Sequence, residues 1–195
     1  TRSYRDLPLR IADFAPLHRN ELKGVIGGMT RVRKFNQDDA HIFAAPEQLG
    51  EEIAQCMDFA RYVYQQVFKL DCRLELSTRP EKCMGTAEQW ETAEAALKQA
   101  LDSQELPYTI NAGDGAFYGP KIDLHIRDCL DRSWQLSTIQ VDFQLPLRFG
   151  LTYESKEGKR ETPVMIHRAV LGSLDRFMGI LIEQYAGKFP LWLNP

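Results

Sequence analysis

Residues 113–127 read GDGAFYGPKIDLHIR, and the choice between two fold classes turns on them. Gly113, Asp114, Gly115 and Gly119 resemble the glycine-rich loop of a dinucleotide site, but that loop must open directly into a helix. Here the following residues alternate instead. Ile122, Leu124 and Ile126 stand against Lys121, Asp123, His125 and Arg127, the period of a half-buried antiparallel strand. A doubly wound nucleotide fold is therefore the weaker reading.

The neighbouring segments extend the same pattern. Ser133–Phe143 reads as a second strand in which Gln135, Thr138, Gln140 and Asp142 interrupt an apolar run, a costly arrangement unless those groups meet partners or a ligand. Leu74 and Leu76 alternate in a short strand. Leu151–Glu154 and Thr162–Arg168 flank the turn residues Lys156–Lys159 as a hairpin. Pro8–Asn20 and Arg31–Phe43 bracket a glycine-bearing loop as a longer one, with Arg19 and Arg31 on its strands and Lys23 at its tip. Helical spacing of Leu49, Ile53, Met57, Ala60, Tyr64 and Val67 predicts a helix within Pro46–Phe68. Thr86 and Gln89 form a capping box ahead of the Trp90, Ala93, Leu97, Leu101 stripe. A last helix starts at Ser173, carries Leu174, Phe177, Leu181 and Tyr185, and ends near Gly187. The class is α+β, an antiparallel sheet flanked by helices.

The 195 residues, 44% hydrophobic and 26% charged, bury a core as one domain, and no repeat or linker divides them. A net charge of −3 excludes binding nucleic acid by overall electrostatics, so any such contact is local. Apolar runs such as Phe177–Leu181 are too short to span a bilayer, and Thr1–Arg10 is polar, so neither membrane insertion nor export is expected. Cys56, Cys72, Cys83 and Cys129 lack paired spacing and read as ordinary thiols of a reducing compartment, cytoplasmic or an organelle matrix.

Chemistry concentrates in His18–Phe43, HRNELKGVIGGMTRVRKFNQDDAHIF. Arginine pairs bidentately with phosphate or carboxylate, so Arg19 and Arg31 on either side of Gly27 and Gly28 suit a polyphosphate clamp, although surface charge is the ordinary role of a lone arginine. Phe35 offers a stacking face for a base, and Glu21 an acceptor for an exocyclic amine. Asp38, Asp39 and His41 suit an amine or a metal. His41 and His167 are either packed core histidines or two ligands of a zinc site, and two are short of a shell. Arg176, in the first turn of its helix, opposes the helix dipole, which an anionic ligand or a nearby carboxylate would explain.

Several strings then carry a resemblance over nearly the whole chain: SYRDLPLR (3–10), HRNE (18–21), QDDAHIF (37–43), LSTRPEK (76–82), GDGAFYGPKID (113–123), IQVDFQLPLRF (139–149) and HRAVLGSLDR (167–176). In their order they resemble the catalytic core of class II aminoacyl-tRNA synthetases, in its threonine-specific branch. The resemblance implies activation of L-threonine by ATP to threonyl-adenylate and transfer to threonine tRNA. Arg19, Arg176 and Lys121 would be catalytic. Arg19, Glu21, Arg31, Phe35, Gln135, Thr138 and Arg176 would bind ATP with Mg2+. Asp39, Tyr118 and Gln140 would line the threonine pocket, and His41 and His167 would hold Zn2+ with a cysteine upstream of Ser3. It further implies that residues 1–195 are a catalytic-core fragment with the second and third signature motifs, the first motif and the editing and anticodon-binding regions lying outside it, and that the longer protein is a homodimer. Leu136 and Ser137, where relatives usually carry Cys-Gly, and Asp175, where they carry Glu, depart from the pattern. The alternative is a non-catalytic synthetase-like RNA-binding or regulatory module.

Overall fold

In a computed structural model describing residues 2–194, the chain opens with β1 (Arg2–Ser3), β2 (Leu9–Asp13), β3 (Pro16–His18) and β4 (Lys34–Ala44). A 3-10 turn over Pro46–Gln48 leads into α1 (Leu49–Arg61), which relaxes into a π-helical turn over Tyr62–Val67. Next come β5 (Cys72–Ser77), α2 (Ala87–Ser103), β6 (Tyr108–Asn111), β7 (Lys121–Arg127) and β8 (Ser133–Asp142). The chain closes with α3 (Gln144–Arg148), β9 (Tyr153–Glu154), β10 (Arg160–Glu161), β11 (Val164–Ser173) and α4 (Leu174–Gln184). The alternation of residues 121–127 is thus realised as a strand, and the α+β class stands.

The large sheet runs β2-β4-β11-β8-β7-β5-β6, with β3 pairing further along β4. Its pairings are antiparallel except β5 with β6. Because side chains alternate across a strand, register sorts the sheet into two faces. Ile42, Leu74, Leu76, Ile122, Leu124, Ile139 and Ile166 pack against Ile53, Met57, Tyr64, Leu97, Leu101, Phe177 and Ile180 of the helical layer. Each fully buried side chain of this kind contributes roughly 1.5–3 kcal/mol. Arg10 of β2 ties that layer on by a two-pronged ion pair to the buried Glu52 of α1, at 2.6 and 2.8 Å. The other face carries the polar positions, and register brings them side by side: His41 opposite His167, His167 opposite Gln140, Gln140 opposite Lys121, Asp123 opposite Thr138.

Several expectations need correction. The first hairpin forms in a single register from Leu9 opposite Phe43 to His18 opposite Lys34, but with a break at residues 14–15. Asp13 accepts the amide of Ala15, the chain turns through Pro16, and β2 and β3 pair with β4 separately. Arg19 lies just beyond β3, and Arg31 only bridges to Gly27, so neither arginine is on a strand; Lys23 does sit at a turn of the intervening loop. The turn at 156–159 joins β9 to β10, not to Thr162–Arg168. Past Pro163 the chain leaves that small sheet and enters the large one as β11. β6, parallel to β5, alternates Tyr108 and Ile110 with Thr109 and Asn111, but over four residues only, too short a run to mark a strand by pattern.

Two backbone features fix the region around β11. Its register slips between Ala169 and Ser173, and there Gly172 takes φ +71°, with the place of a Cβ only 2.6 Å from the Leu136 carbonyl oxygen. At the β7–β8 turn, Asp128 accepts the Trp134 indole, the Arg132 guanidinium and the amides of Leu130 and Arg132. Burial alone would push this carboxyl up, but those donors hold it at about 2. Arg132 in turn pairs with Glu183 of α4.

Gly172→Ala is expected to destabilise the fold by about 1–3 kcal/mol in urea unfolding, because the methyl group meets a backbone carbonyl in an already strained conformation. A carboxyl depressed in the folded state stabilises above its unfolded pKa of about 3.9 and loses that contribution as pH falls towards about 2. The stability gap between the wild type and Asp128→Asn is therefore expected at neutral pH and to close between pH ~4 and ~2 in urea titrations.

Candidate functional site

The polar end of the sheet, beside the loop between β3 and β4, holds a cavity of about 200 Å3. Arg19, Glu21, Arg31, Phe35, Gln135, Thr138 and Arg176 all line it, together with Leu136 and Gly172. These seven include every residue expected on the ATP side. They come from four places in the chain, and the fold explains their convergence. The amide of Arg19 donates to the Arg33 carbonyl, holding the two ends of the loop together at 2.8 Å. Phe35 is buried near the start of β4, and the Arg19 guanidinium lies over its ring at 5.0 Å. Gln135 and Thr138 rise from β8.

Arg176 reaches the cavity because of what precedes α4. Asp38 of β4 is buried and accepts the amides of Val170, Leu171 and Gly172 at 2.9–3.0 Å, so the slipped backbone of β11 folds around one carboxylate. Burial raises its pKa and these amides oppose the rise. Ser173 then caps α4, accepting the amide of Arg176. The acidic pair at 38–39 is therefore divided: Asp38 faces backbone amides rather than a cation, while Asp39 lies on the opposite face with His41.

The cavity is rich in positive charge. Arg176 donates to the Thr30 carbonyl at 2.6 Å and to the Gln135 carbonyl at 3.4 Å, and it forms no carboxylate pair among the described residues. The carboxylate explanation for its placement is thus not realised. Burial first, then the neighbouring Arg31 and Arg19, lowers its pKa, with Glu21 opposing. Glu21 pairs with Arg31 at 2.9 Å. Three guanidiniums against one carboxylate make a site that favours a polyanion.

Beneath Gln135 and Thr138 lies Asp123, 1% exposed and absent from the sequence-derived set. One of its oxygens accepts from Gln135 (2.6 Å) and Thr138 (2.8 Å), the other from Ser77 (3.2 Å) and Lys121 (2.5 Å). Lys121 does not line the cavity; it joins the site through Asp123 and also reaches Asp114 at 3.3 Å. The available signal was the alternation itself, which puts Asp123 on the face of Lys121.

Along the same face a second cluster forms. His41 and His167 stand ring to ring at 4.9 Å, Tyr118 lies 5.4 Å from His167, and the buried Gln140 donates to the Gly119 carbonyl. His167 Nε2 is 2.9 Å from the buried Asp142, which also accepts the first amides of α3. Burial, with His167 acting in the same direction, lowers the pKa of His41 against Asp39, Asp13 and Asp142. Burial raises that of Tyr118, keeping its hydroxyl a donor. An uncharged imidazole beside a second histidine backed by a carboxylate suits metal ligation. Among the described residues, however, no group of three or more His, Cys, Asp or Glu is placed to hold an ion.

The departures from the family strings also acquire places. Leu136 is buried and lines the cavity, Ser137 donates to the Ala169 carbonyl at 2.9 Å, and Asp175 accepts the amide of Asn36. No helix among the described residues is long and apolar enough to cross a membrane.

Known proteins resemble both the sequence and the fold. Residues 1–185 match the model of the tRNA synthetase class II core domain (G, H, P, S and T). The threonine--tRNA ligase of Finegoldia magna is 56% identical over 193 residues, 99% of this chain and 30% of that protein. The probable cytoplasmic threonine--tRNA ligase 1 of Dictyostelium discoideum is 57% identical over 196 residues, 100% of this chain and 28% of that protein. The chain thus spans about 30% of the length of such relatives. Among solved structures, the RNA binding domain of threonyl-tRNA synthetase from Cryptosporidium parvum Iowa II superposes with a TM-score of 0.94 at 52% identity, covering 98% of this chain and 48% of that one. A putative threonyl-tRNA synthetase from Aeropyrum pernix gives 0.79 at 34% identity, covering 93% and 43%. With most of its length matched by one model and its fold shared with solved relatives, the chain belongs to the class II tRNA synthetase core domain family.

Proposed function

We propose that this chain is the threonine-activating core of a threonine--tRNA ligase, in which L-threonine attacks ATP to give threonyl-adenylate before transfer to threonine tRNA. The observation that carries the ATP half is the convergence of Arg19, Arg31 and Arg176 on one cavity with Phe35 and Glu21. Attack by the amino-acid carboxylate on the α-phosphate, with the bond to the β-phosphate breaking and pyrophosphate leaving, builds negative charge on phosphate oxygens, which pre-placed guanidiniums stabilise without side-chain covalent chemistry; Mg2+ carried with ATP would add to that charge stabilisation. Glu21 takes the adenine amine and Phe35 the ring face once the Glu21–Arg31 and Arg19–Phe35 contacts give way to ligand.

The second cluster supports the threonine half. Asp39, Tyr118 and Gln140 would line an amino-acid pocket beside His41 and His167, which would hold Zn2+. Bound there, zinc would supply a Lewis acid for polar groups of the substrate. Asp142 fixes the His167 ring. A site made to bind a hydroxyl discriminates by roughly 10,000-fold against an isostere lacking it. The names of the relatives support tRNA as a partner and a cytoplasmic setting.

In the protein that carries this chain, Arg19→Ala is expected to lower threonine-dependent exchange of pyrophosphate into ATP by roughly 100-fold or more, since charge-assisted hydrogen bonds are worth about 1.5–3 kcal/mol each. Undiminished exchange would refute the assignment, and ATP-independent RNA binding without threonyl-adenylate would favour a non-catalytic module. His167→Ala is expected to remove bound zinc, read by elemental analysis, while leaving ATP binding within about twofold.

A further inference from the structure

Asp123 controls which hydrogen-bonding partners the cavity floor can accept. A carboxylate bonded to an ammonium accepts and does not donate, so each neutral neighbour must turn a proton towards it. Gln135 therefore commits its Nε2 end and Thr138 its hydroxyl proton to one Asp123 oxygen, while Ser77 and Lys121 occupy the other. Thr138 Oγ1 also accepts a longer contact from Gln135 Nε2 at 3.4 Å, so what remains of both residues is oxygen lone pairs: the amide Oε1 of Gln135 and the second lone pair of Thr138 Oγ1. Both residues line the cavity with the guanidiniums of Arg19, Arg31 and Arg176, the last of which donates to the Gln135 backbone carbonyl. The cavity thus has a donor wall and an acceptor floor.

We propose that Asp123 is a positioning residue that gives the floor this acceptor sense, and that the floor reads the ribose hydroxyls of the nucleotide. Phosphate oxygens cannot donate and are turned away from the floor towards the arginines. A sugar hydroxyl can donate to Gln135 or Thr138, and a deoxy sugar leaves an acceptor unmet. This deepens the nucleotide reading of the same cavity and rests on it.

Asp123→Asn inverts the arrangement without changing side-chain volume. Asparagine has one acceptor oxygen, which the Lys121 ammonium claims, leaving its NH2 group facing Gln135 and Thr138. These must then turn their oxygens inward and their protons outward, making the floor a donor. Thr138→Val is the second variant, deleting one floor acceptor while leaving Asp123 in place.

The experiment is calorimetric titration of ATP, 2′-deoxy-ATP and 3′-deoxy-ATP into the protein that carries this chain and into both variants, with thermal melting of each. The wild type is expected to bind ATP roughly tenfold more tightly than at least one deoxy analogue, the scale of one hydrogen bond. Both variants are expected to close that gap to within about twofold, mainly by weakening ATP. A purely structural role would lower the affinities for all three alike. Equal binding of the three by the wild type overturns the ribose floor and leaves the nucleotide reading standing. A gap that survives Asp123→Asn in a folded variant overturns the role of Asp123; if that variant does not fold, a gap that survives Thr138→Val overturns the proposal. No binding of any nucleotide by the wild type removes the nucleotide reading itself, and this one with it.

Discussion

The closure of three consecutive amides, those of Val170, Leu171 and Gly172, around the Asp38 carboxylate is the contact on which the rest of the site depends. A strand that slips register exposes amides that its neighbours no longer satisfy, and buried amides without partners cost about 1–3 kcal/mol each. Asp38 takes these three from the adjacent strand, and the Tyr64 hydroxyl satisfies the Val170 carbonyl from the helical side. The slip therefore becomes a fixed bend. From it follow the Ser173 cap, the direction of α4 and the delivery of Arg176 to the cavity.

The sheet divides labour between its faces. One is an ordinary apolar core. The other buries Asp123, Gln140 and Asp142, a costly choice that is tolerable because each is bonded to defined partners. Such networks gain little net stability over well-packed hydrocarbon, but they permit few alternative arrangements. Here they fix the orientation of Gln135, Thr138, Lys121 and His167, the side chains with which the face meets its ligands under the proposed function.

Much of this was legible in the sequence, and the reasons differ by element. Strict alternation in residues 121–127 and helical spacing in α2 and α4 state their own burial, so the class and the main elements follow. The seven residues expected around ATP do share one cavity. Local patterning cannot report which strand lies beside which: Thr162–Arg168 looked like the far arm of a nearby turn, yet it pairs with β4, more than a hundred residues earlier. Nor does composition tell a ligand-facing acid from a structural one. Asp38 and Asp39 are neighbours in sequence, but opposite faces of a strand give them unrelated tasks. Asp123 carries no such signal, because a charged residue on the polar side of an alternating strand is usually in water, and only its cross-strand neighbours show that this one is enclosed.

The pairing of β4 with β11 has a further consequence for synthesis on the ribosome. The strand bearing Phe35, Asp38 and His41 precedes its central neighbour, which carries His167 and leads to Arg176, by more than a hundred residues. Until that neighbour is made β4 has a bare edge where β11 will lie, the condition under which nascent strands pair wrongly. β2, which flanks β4 on its other side, is already present but covers only the opposite edge. The cavity is thus complete only once residues 164–176 lie between two ladders made before them, β2–β4 and β7–β8.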